Sequence, residues 1–273
     1  MPRHAPLAGA ALAAVLSLAG GARAAPAAPR VMSLDQCADQ YVLALSPRQA
    51  IVGVSPRVDD RDSYMRAKSA GLPQRRATAE AVLAARPDVV VRYWGGDARL
   101  TETLERRGVQ VVRIEEAEDF AGVRANVRRV AGALGQQAAG EQVVSEMDAK
   151  LRAANGAWGG KAALYLTPSG FTAGQGTLVD AVLTAAGLKG ASGQVGYAPV
   201  SLEHLALSPP AALVLGFFDN FASAMVRWGP GRHRVLSRLV EEKAVGSLPG
   251  AIAGCPGWFA ADGAQMLAQG ARR

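Results

Sequence analysis

The sequence predicts an α/β protein made of two similar lobes, and two observations support that prediction. Residues 78–92 read TAEAVLAARPDVVVR and residues 201–215 read SLEHLALSPPAALVL. Each stretch has a hydroxyl residue, a glutamate two positions later, a proline seven positions after that, and then an apolar run. This order is typical of a capped helix, a stop and a buried strand. Strand and helix patterns also alternate along most of the chain, which is typical of parallel sheets.

Residues 1–24 have the order of a secretory signal peptide and are left out of the predicted fold. Arg3 precedes an apolar run over residues 7–18, and Ala22 and Ala24 supply the small residues of a cleavage site. This order predicts export to the periplasm, with cleavage after Ala24. The alternative is an uncleaved membrane anchor, for which the apolar run is too short.

Residues 25–118 form the first predicted lobe. Its strands and helices alternate at residues 31–33, 38–45, 51–54, 79–86, 88–92, 97–107 and 109–114. Gly108 stands where a glycine commonly ends a helix. Short links between these elements favour a parallel sheet with helices on both faces.

Residues 119–157 are predicted to link the lobes. Apolar residues follow helical spacing there, while Gly132, Gly135 and Gly140 weaken the middle of the pattern. One long helix or two abutting helices fit this pattern. We assign one long spine helix, because about 30 helical residues reach roughly 45 Å, which suits a connection between two lobes.

Residues 158–273 form the second predicted lobe. A strand at 162–166 leads into a glycine-rich loop at 167–176, and the remaining elements are predicted at residues 177–187, 201–207, 211–215, 219–240, 243–248 and 262–270. The predicted fold is therefore α/β, with two Rossmann-like lobes joined by a long spine helix and a ligand cleft between the lobes.

The charge balance argues against nucleic acid as a partner. The chain has a formal net charge of +7, and loss of Arg3 and Arg23 with the signal leaves +5. The arginines are spread over separate predicted elements and form no basic stripe with interleaved aromatic residues. Such a stripe is the usual signature of a nucleic-acid surface.

Cys37 and Cys255 are the two cysteines of the chain. Export to an oxidising compartment favours a disulfide between them, and two buried free thiols are the alternative. A bridge would close nearly the whole exported chain, which the chain-entropy model values at roughly 5 kcal/mol as an upper figure.

Glu80 and Glu203 occupy the same position in the two repeated helix starts. A carboxylate in the first turn stabilises a helix by a few tenths to about 1 kcal/mol through the helix dipole, and this is the simplest explanation. Their symmetric placement favours a second role, because a two-fold symmetric partner with one arginine patch per subunit could bind both carboxylates.

Aromatic residues follow the predicted strands and suggest a ligand cleft. Tyr93 and Trp94 come after one strand, Phe217 comes after its counterpart, and Phe171 and Tyr197 lie in later loops. Ligands bind outside the carboxyl ends of strands in open parallel sheets, so these rings are candidates to line a cleft. The alternative for each ring is a place in the core.

Catalytic and metal-binding patterns are weak in this sequence. His204 and His233 lack a cysteine or carboxylate at metal-ligand spacing, and the GQG at residues 174–176 matches no phosphate-binding loop. Ser169 is not in the G-x-S-x-G context of a hydrolase nucleophile. We therefore expect no catalytic residues, no bound metal and no cofactor.

Several ordered motifs resemble the periplasmic binding proteins of iron-siderophore and cobalamin ABC importers. They lie over residues 30–40, 51–55, 80–91, 95–112, 171–174, 200–203 and 210–215. The resemblance covers essentially the whole exported chain. It implies two lobes with a rather rigid cleft and a dimeric permease as the partner, with Glu80 and Glu203 docking on permease arginines.

The resemblance also suggests the ligand contacts. It places Tyr93, Trp94, Phe171 and Tyr197 near ligand-contacting positions, and it suits a Cys37–Cys255 bridge across one lip of the cleft. The cobalamin-binding relatives carry an aromatic residue shortly before the first docking glutamate, where this chain reads QRR at residues 74–76. That departure favours an anionic iron chelate, which Arg57, Arg61 and Arg75 could meet.

The sequence-based interpretation is therefore a monomeric periplasmic receptor, not an enzyme. It captures a ferric siderophore or similar iron chelate and delivers it to an ABC permease. A cobalamin receptor is the first alternative. The others are an exported enzyme on a chelatase-like two-lobed fold and a binding protein that acts without a transporter.

Overall fold

The computed structural model describes residues 28–217, residue 219 and residues 234–272. The first lobe contains β1 (Val31–Ser33), α1 (Gln36–Leu45), β2 (Ile51–Gly53), α2 (Ala79–Ala85), β3 (Val89–Arg92), α3 (Ala98–Arg106) and β4 (Gln110–Arg113). Short 3-10 turns at Arg48–Ala50 and Arg66–Lys68 flank β2. Every predicted element of this lobe is present, with ends shifted by one or two residues. The predicted signal peptide lies outside the described residues.

The second lobe contains eleven described elements. They are β5 (Lys161–Leu166), β6 (Phe171–Ala173), α6 (Leu178–Ala185), β7 (Leu188–Gly190), β8 (Tyr197–Pro199), α7 (Leu202–Leu207), β9 (Leu213–Gly216), α8 (Arg234–Lys243), β10 (Ala244–Leu248), α9 (Gly250–Ala253) and α10 (Ala260–Gly270), in the part of the lobe that the structure describes. The short strands β6, β7 and β8 were not predicted from the sequence. Part of the helical region predicted at 219–240 lies outside the described residues.

The two lobes have the same sheet topology. The first sheet has the strand order β2-β1-β3-β4, and the second has the order β7-β5-β9-β10. All of the pairings within these two sheets are parallel. Among the four strands of each sheet, the second in chain order (β2 or β7) lies at one edge and the fourth (β4 or β10) at the other. The internal repeat seen in the sequence is therefore a repeat of topology.

The helical linker differs from the prediction of one long helix. Two helices are present, α4 (Phe120–Ala133) and α5 (Gln137–Ala154). Gly135 between them has φ +66°, a left-handed conformation that ends α4 and turns the chain. The two helices lie side by side, joined by ion pairs of Arg124 with Asp148 and of Arg128 with Glu141. The single spine helix is wrong, and the alternative of two abutting helices is confirmed.

One continuous core connects the lobes. Tyr41 of α1 packs edge-on against Trp258 with ring centroids 5.2 Å apart, and Tyr64 stacks on Phe259 at 4.5 Å. Lys150 of α5 forms an ion pair with Asp262 of α10. Such aromatic pairs contribute about 0.5–1.5 kcal/mol each beyond the area that they bury. These contacts support the rather rigid relation between the lobes that the resemblance implies.

In the part of the chain that the structure describes, no helix combines the length and the apolar character needed to cross a membrane.

Candidate functional site

A cleft lies at the carboxyl ends of both parallel sheets, where open α/β sheets bind ligands. It contains a pocket of about 190 Å³. The residues that line it are Tyr93, Glu116, Leu178, Val179, Val182, Tyr197, Leu248, Ile252, Ala253, Gly254, Cys255, Pro256 and Ala260. Tyr93 follows β3 of the first lobe, and Glu116 lies in the segment between β4 and α4. The aliphatic wall of the pocket belongs to α6, α9 and the end of β10. The pocket therefore joins the two lobes.

Asp35 fixes the turn that carries Tyr93 and Trp94. Its buried carboxylate caps α1 at Ala38 N and accepts hydrogen bonds from Tyr93 N at 2.7 Å and Gly95 N at 2.8 Å. A Cβ at Gly95 would lie 2.4 Å from the carbonyl oxygen of Leu34. Glycine is therefore required for this close approach, and the two aromatic residues sit on a rigid strand end.

Asp39, one turn further along α1, joins two other strand ends. Its buried carboxylate accepts a hydrogen bond from the hydroxyl of Ser33, the last residue of β1. It also accepts hydrogen bonds from the amide (2.8 Å) and hydroxyl (2.5 Å) of Ser55, after β2. Burial raises the pKa of Asp39 to about 6, and the serine hydrogen bonds oppose that rise. Asp35 and Asp39 together hold the floor of the cleft in the first lobe.

Two tyrosine hydroxyls and one carboxylate form the polar part of the pocket. The Tyr93 hydroxyl donates a hydrogen bond to the Glu116 carboxylate. Burial, followed by that hydrogen bond, raises the pKa of Tyr93 above its usual value. Burial also raises the pKa of Tyr197, with a further contribution from the negative charge of Glu116. The pocket therefore presents neutral hydroxyls beside an acid.

The remaining predicted aromatic residues lie outside this list of lining residues. Trp94 is 52% exposed and Phe171 is 45% exposed, which is unusual for such large apolar side chains. Phe171 lies on β6, which pairs antiparallel with β8 so that Ala173 lies opposite Tyr197. Phe217 is partly buried, has φ +60° and lies close to Gly254. The structure thus places Tyr93 and Tyr197 in the lining of the pocket, with Tyr197 still 63% exposed, and leaves Trp94 and Phe171 accessible outside it.

The predicted arginines do not line the pocket. Arg57 forms an ion pair with Asp60 at 2.8 Å, and Asp62 lies 3.9 Å away. Arg75 donates a hydrogen bond to the carbonyl oxygen of Val52 at the edge of the first sheet. Both guanidinium groups are therefore engaged elsewhere in the first lobe. Their assignment as ligand contacts stays a prediction.

The disulfide joins the two lobes at the cleft. Cys37 on α1 is bonded to Cys255, with Cα atoms 5.4 Å apart, and Cys255 lines the pocket. This separation is ordinary for a disulfide. The predicted bridge is confirmed, and the alternative of two free thiols is excluded.

Glu80 and Glu203 are both exposed in the first turns of their helices. Thr78 accepts a hydrogen bond from Ala81 N, and Ser201 accepts one from His204 N, so both predicted caps are confirmed. The two helices lead into the parallel strands β3 and β9. A crossover helix runs antiparallel to the strand that it precedes, so its first turn lies at the edge where that strand ends. The two glutamates therefore lie at the edge that carries the cleft.

Sequence reasoning missed the acidic and aliphatic parts of the site. Glu116 was not singled out because it lies in an irregular segment with no motif of its own. Leu248 and Ile252 belong to a region where a buried strand and a core helix have the same apolar signal. Among the described residues, no group of three or more His, Cys, Asp or Glu side chains is placed to hold a metal ion.

The fold, the cleft and the bridged lobes define a class of ligand-binding protein, and comparison with known families agrees. The family model described as "Periplasmic binding protein" matches residues 31–225. The chain belongs to this family. Comparison with curated proteins finds no match.

Solved structures of the same fold cover nearly the whole chain. The periplasmic heme-binding protein RhuT from Roseiflexus sp. RS-1 is 21% identical, with a TM-score of 0.69 over 90% of this chain and 98% of that one. The periplasmic heme-binding protein HutB of Vibrio cholerae is 18% identical, with a TM-score of 0.71 over 88% and 98%. The vitamin B12-binding protein BtuF of Vibrio cholerae is 18% identical, with a TM-score of 0.61 over 90% and 97%.

Proposed function

We propose that this protein is the substrate-binding component of an ABC importer that captures a bulky iron chelate in the periplasm. The observation that carries the proposal is the pocket between the lobes, which combines an aliphatic wall with the hydroxyls of Tyr93 and Tyr197. Membership of the periplasmic binding protein family supports the transport role. Export through residues 1–24 belongs to the same proposal.

The pocket is a partial site for such a ligand. Its volume of about 190 Å³ is below the roughly 300–1,000 Å³ of common ligand pockets. A bulky chelate would therefore extend beyond it, onto accessible aromatic surface such as that of Trp94 and Phe171. Exposed rings of this kind supply large apolar contact with little loss of side-chain entropy.

The polar groups of the pocket are compatible with an iron chelate. Tyrosine oxygen is an established ligand of ferric heme iron, and oxygen donors suit hard cations. Two of the solved structures of this fold are named for heme binding, and heme is itself an iron chelate. Heme and ferric siderophores are therefore the main ligand candidates.

A corrinoid is the second candidate. A solved structure of this fold is named for vitamin B12 binding, and exposed aromatic surface serves a corrin ring as well as a porphyrin. The binding of a large flat ligand between two lobes requires no catalytic group. We therefore propose a binding function without turnover.

The proposed partner is a dimeric permease in the inner membrane. Glu80 and Glu203 support this role because they are exposed, occupy equivalent positions and lie at the cleft edge of each lobe. Arginines on two permease subunits would pair with them.

Tryptophan fluorescence of the exported protein tests the ligand. The titrants are ferric trihydroxamate, ferric tricatecholate, ferric citrate, heme and cobalamin, each corrected for its own absorbance. We expect saturable quenching by one iron chelate at submicromolar concentration and a smaller signal in Trp94→Phe. Trp158→Phe is the control, because its indole donates a hydrogen bond to Leu267 on the far side of the second lobe. Saturation by cobalamin alone would select the corrinoid, and no saturation would reject the proposal.

A further inference from the structure

We infer that Glu116 makes the cleft favour iron chelates that present a positive charge or N–H donors, and disfavour polyanionic chelates. This inference rests on the proposed function and names the charge class of its ligand. It reverses the sequence-based expectation that arginines select an anionic chelate.

Glu116 is held in place by the segment between β4 and α4. Buried Asn126 of α4 accepts a hydrogen bond from Glu115 N at 3.0 Å and donates one to the Glu115 carbonyl at 2.7 Å. Arg129 donates to the same Asn126 side chain at 3.1 Å. The backbone next to Glu116 is therefore fixed by a buried amide pair, and the hydrogen bond from the Tyr93 hydroxyl holds the exposed Glu116 carboxylate at the pocket.

The carboxylate keeps acceptor capacity for a ligand. Two carboxylate oxygens offer about four lone-pair sites, and the Tyr93 hydroxyl occupies one of them. Its negative charge also acts on Tyr197, on the opposite lobe. A ligand between the two tyrosines would therefore lie within the field of Glu116.

The charged residues described around the pocket add to its negative electrostatic potential. Glu116 is the one charged side chain among the described residues that line it. The Glu118 carboxylate lies close to Gly176 of the second lobe. Arg57, one of the arginines predicted to select an anion, forms an ion pair with Asp60 and lies 3.9 Å from Asp62. A polyanion entering this pocket would meet like charge while losing its hydration.

Two pairs of matched probes test the inference by fluorescence titration. The first pair is a linear ferric trihydroxamate with a terminal ammonium and the same chelate acetylated on that amine. The second pair is heme and its dimethyl ester, which lacks the two propionate charges. We expect the wild-type protein to bind the more positive member of a pair roughly threefold to fivefold more tightly, the range of a partly exposed charge pair.

Glu116→Gln should abolish that preference, because it keeps the size of the side chain and an acceptor for Tyr93. Glu116→Asp should retain it. Glu115→Gln is the matched control and should also retain it, since this neighbour faces Arg129 at 3.9 Å instead of the pocket. Equal binding within a pair by the wild-type protein, or a preference that survives in Glu116→Gln, would overturn this inference alone. Saturation by ferric tricatecholate or ferric citrate with no binding of these four probes would overturn the inference and leave the proposed function standing, whereas failure of every chelate to bind would overturn both.

Discussion

Two buried carboxylates at the start of α1 arrange the first half of the site. Asp35 accepts hydrogen bonds from the amides of Tyr93 and Gly95. Asp39 accepts them from the hydroxyl of Ser33 and from both the amide and the hydroxyl of Ser55. These five contacts join the carboxyl ends of β1, β2 and β3. Buried polar groups of this kind stabilise a single arrangement only when they are satisfied, and both of these carboxylates are.

The titration of Asp39 should be visible in the stability of the protein. The folded pKa of about 6 lies above the unfolded value of 3.8, so the folded state binds more protons between these values. Stability should therefore fall as pH rises from about 4 to about 6, by roughly 3 kcal/mol. Asp39→Asn should remove this part of the slope in urea unfolding at a series of pH values. The control is Asp59→Asn, because the exposed Asp59 carboxyl accepts a hydrogen bond from Gln74. If Asp39→Asn kept the wild-type dependence of unfolding free energy on pH, the assignment to Asp39 would be wrong.

Residues of the site were predictable where a local pattern marks them. Tyr93 and Tyr197 stand out as aromatic residues after strands or in loops, and the structure places both in the pocket. The assignment of Arg57 as a ligand contact stays a prediction, because a charge near a strand end in sequence says nothing of the acidic partner, Asp60, with which it pairs in the structure. Glu116 was invisible, because its role depends on Tyr93 and Asn126, and neither is its neighbour in sequence.

At the scale of elements, the α4–α5 pair depends on one close helix contact. Gly140 of α5 is buried, and a Cβ there would lie 2.5 Å from the Cβ of Ala131 on α4. The glycine that weakens the helical pattern in the sequence is therefore a packing residue. Gly132 has no such neighbour within 4 Å of its would-be Cβ.

Alanine at these two glycines should have opposite effects. Gly140→Ala forces the helices apart and should destabilise the protein by about 1–3 kcal/mol, although alanine is the better helix former. Gly132→Ala should stabilise it by about 0.5–1 kcal/mol, because it gains helix propensity without a clash. Thermal and urea unfolding measure both changes. The double change Gly140→Ala with Ala131→Gly should restore stability, and failure to do so would show that the contact is not the cause.

The elements that the sequence predicted well are those with strong periodicity. The strands of the first sheet and their helices appear within one or two residues of the expected ends. The β6–β8 ribbon was missed because each strand has three residues in a glycine-rich or polar loop, and its pairing is set by contacts distant in sequence. The sequence allowed either one long helix or two helices that meet near Gly135, since a glycine in a helical pattern can end a helix or lie within one.

At the scale of the whole molecule, the repeated sheet order gives the protein an approximate two-fold character. Both lobes contain equivalent strands and equivalent capped helices with a glutamate in the first turn, although the two sequences differ at most positions. The disulfide and the aromatic contacts of Tyr41 and Tyr64 hold the lobes together near the cleft. Glu80 and Glu203 therefore belong to one body, and their separation is nearly fixed.

A nearly fixed separation would suit the symmetric permease proposed above, because both proposed contacts would form without a further ordering cost. Replacing Glu80 and Glu203 with alanine should leave chelate affinity unchanged, since neither residue lines the pocket. Loss of two charge pairs that the docked interface would bury, at about 1.4 kcal/mol each, should weaken docking roughly 100-fold. Ligand uptake and stimulated ATPase activity of the cognate importer in proteoliposomes measure this effect.

The matched control is the pair Glu105→Ala and Glu242→Ala. Both residues are exposed and lie near the last turns of α3 and α8, so they occupy the edge opposite the cleft. This pair changes net charge by the same amount and should leave uptake at the wild-type rate. Each single change, Glu80→Ala or Glu203→Ala, should reduce docking by about tenfold, because the other lobe still binds its subunit. Normal uptake by the Glu80 and Glu203 double variant would mean that these carboxylates only stabilise the first turns of their helices. The docking surface would then lie elsewhere on the lobes.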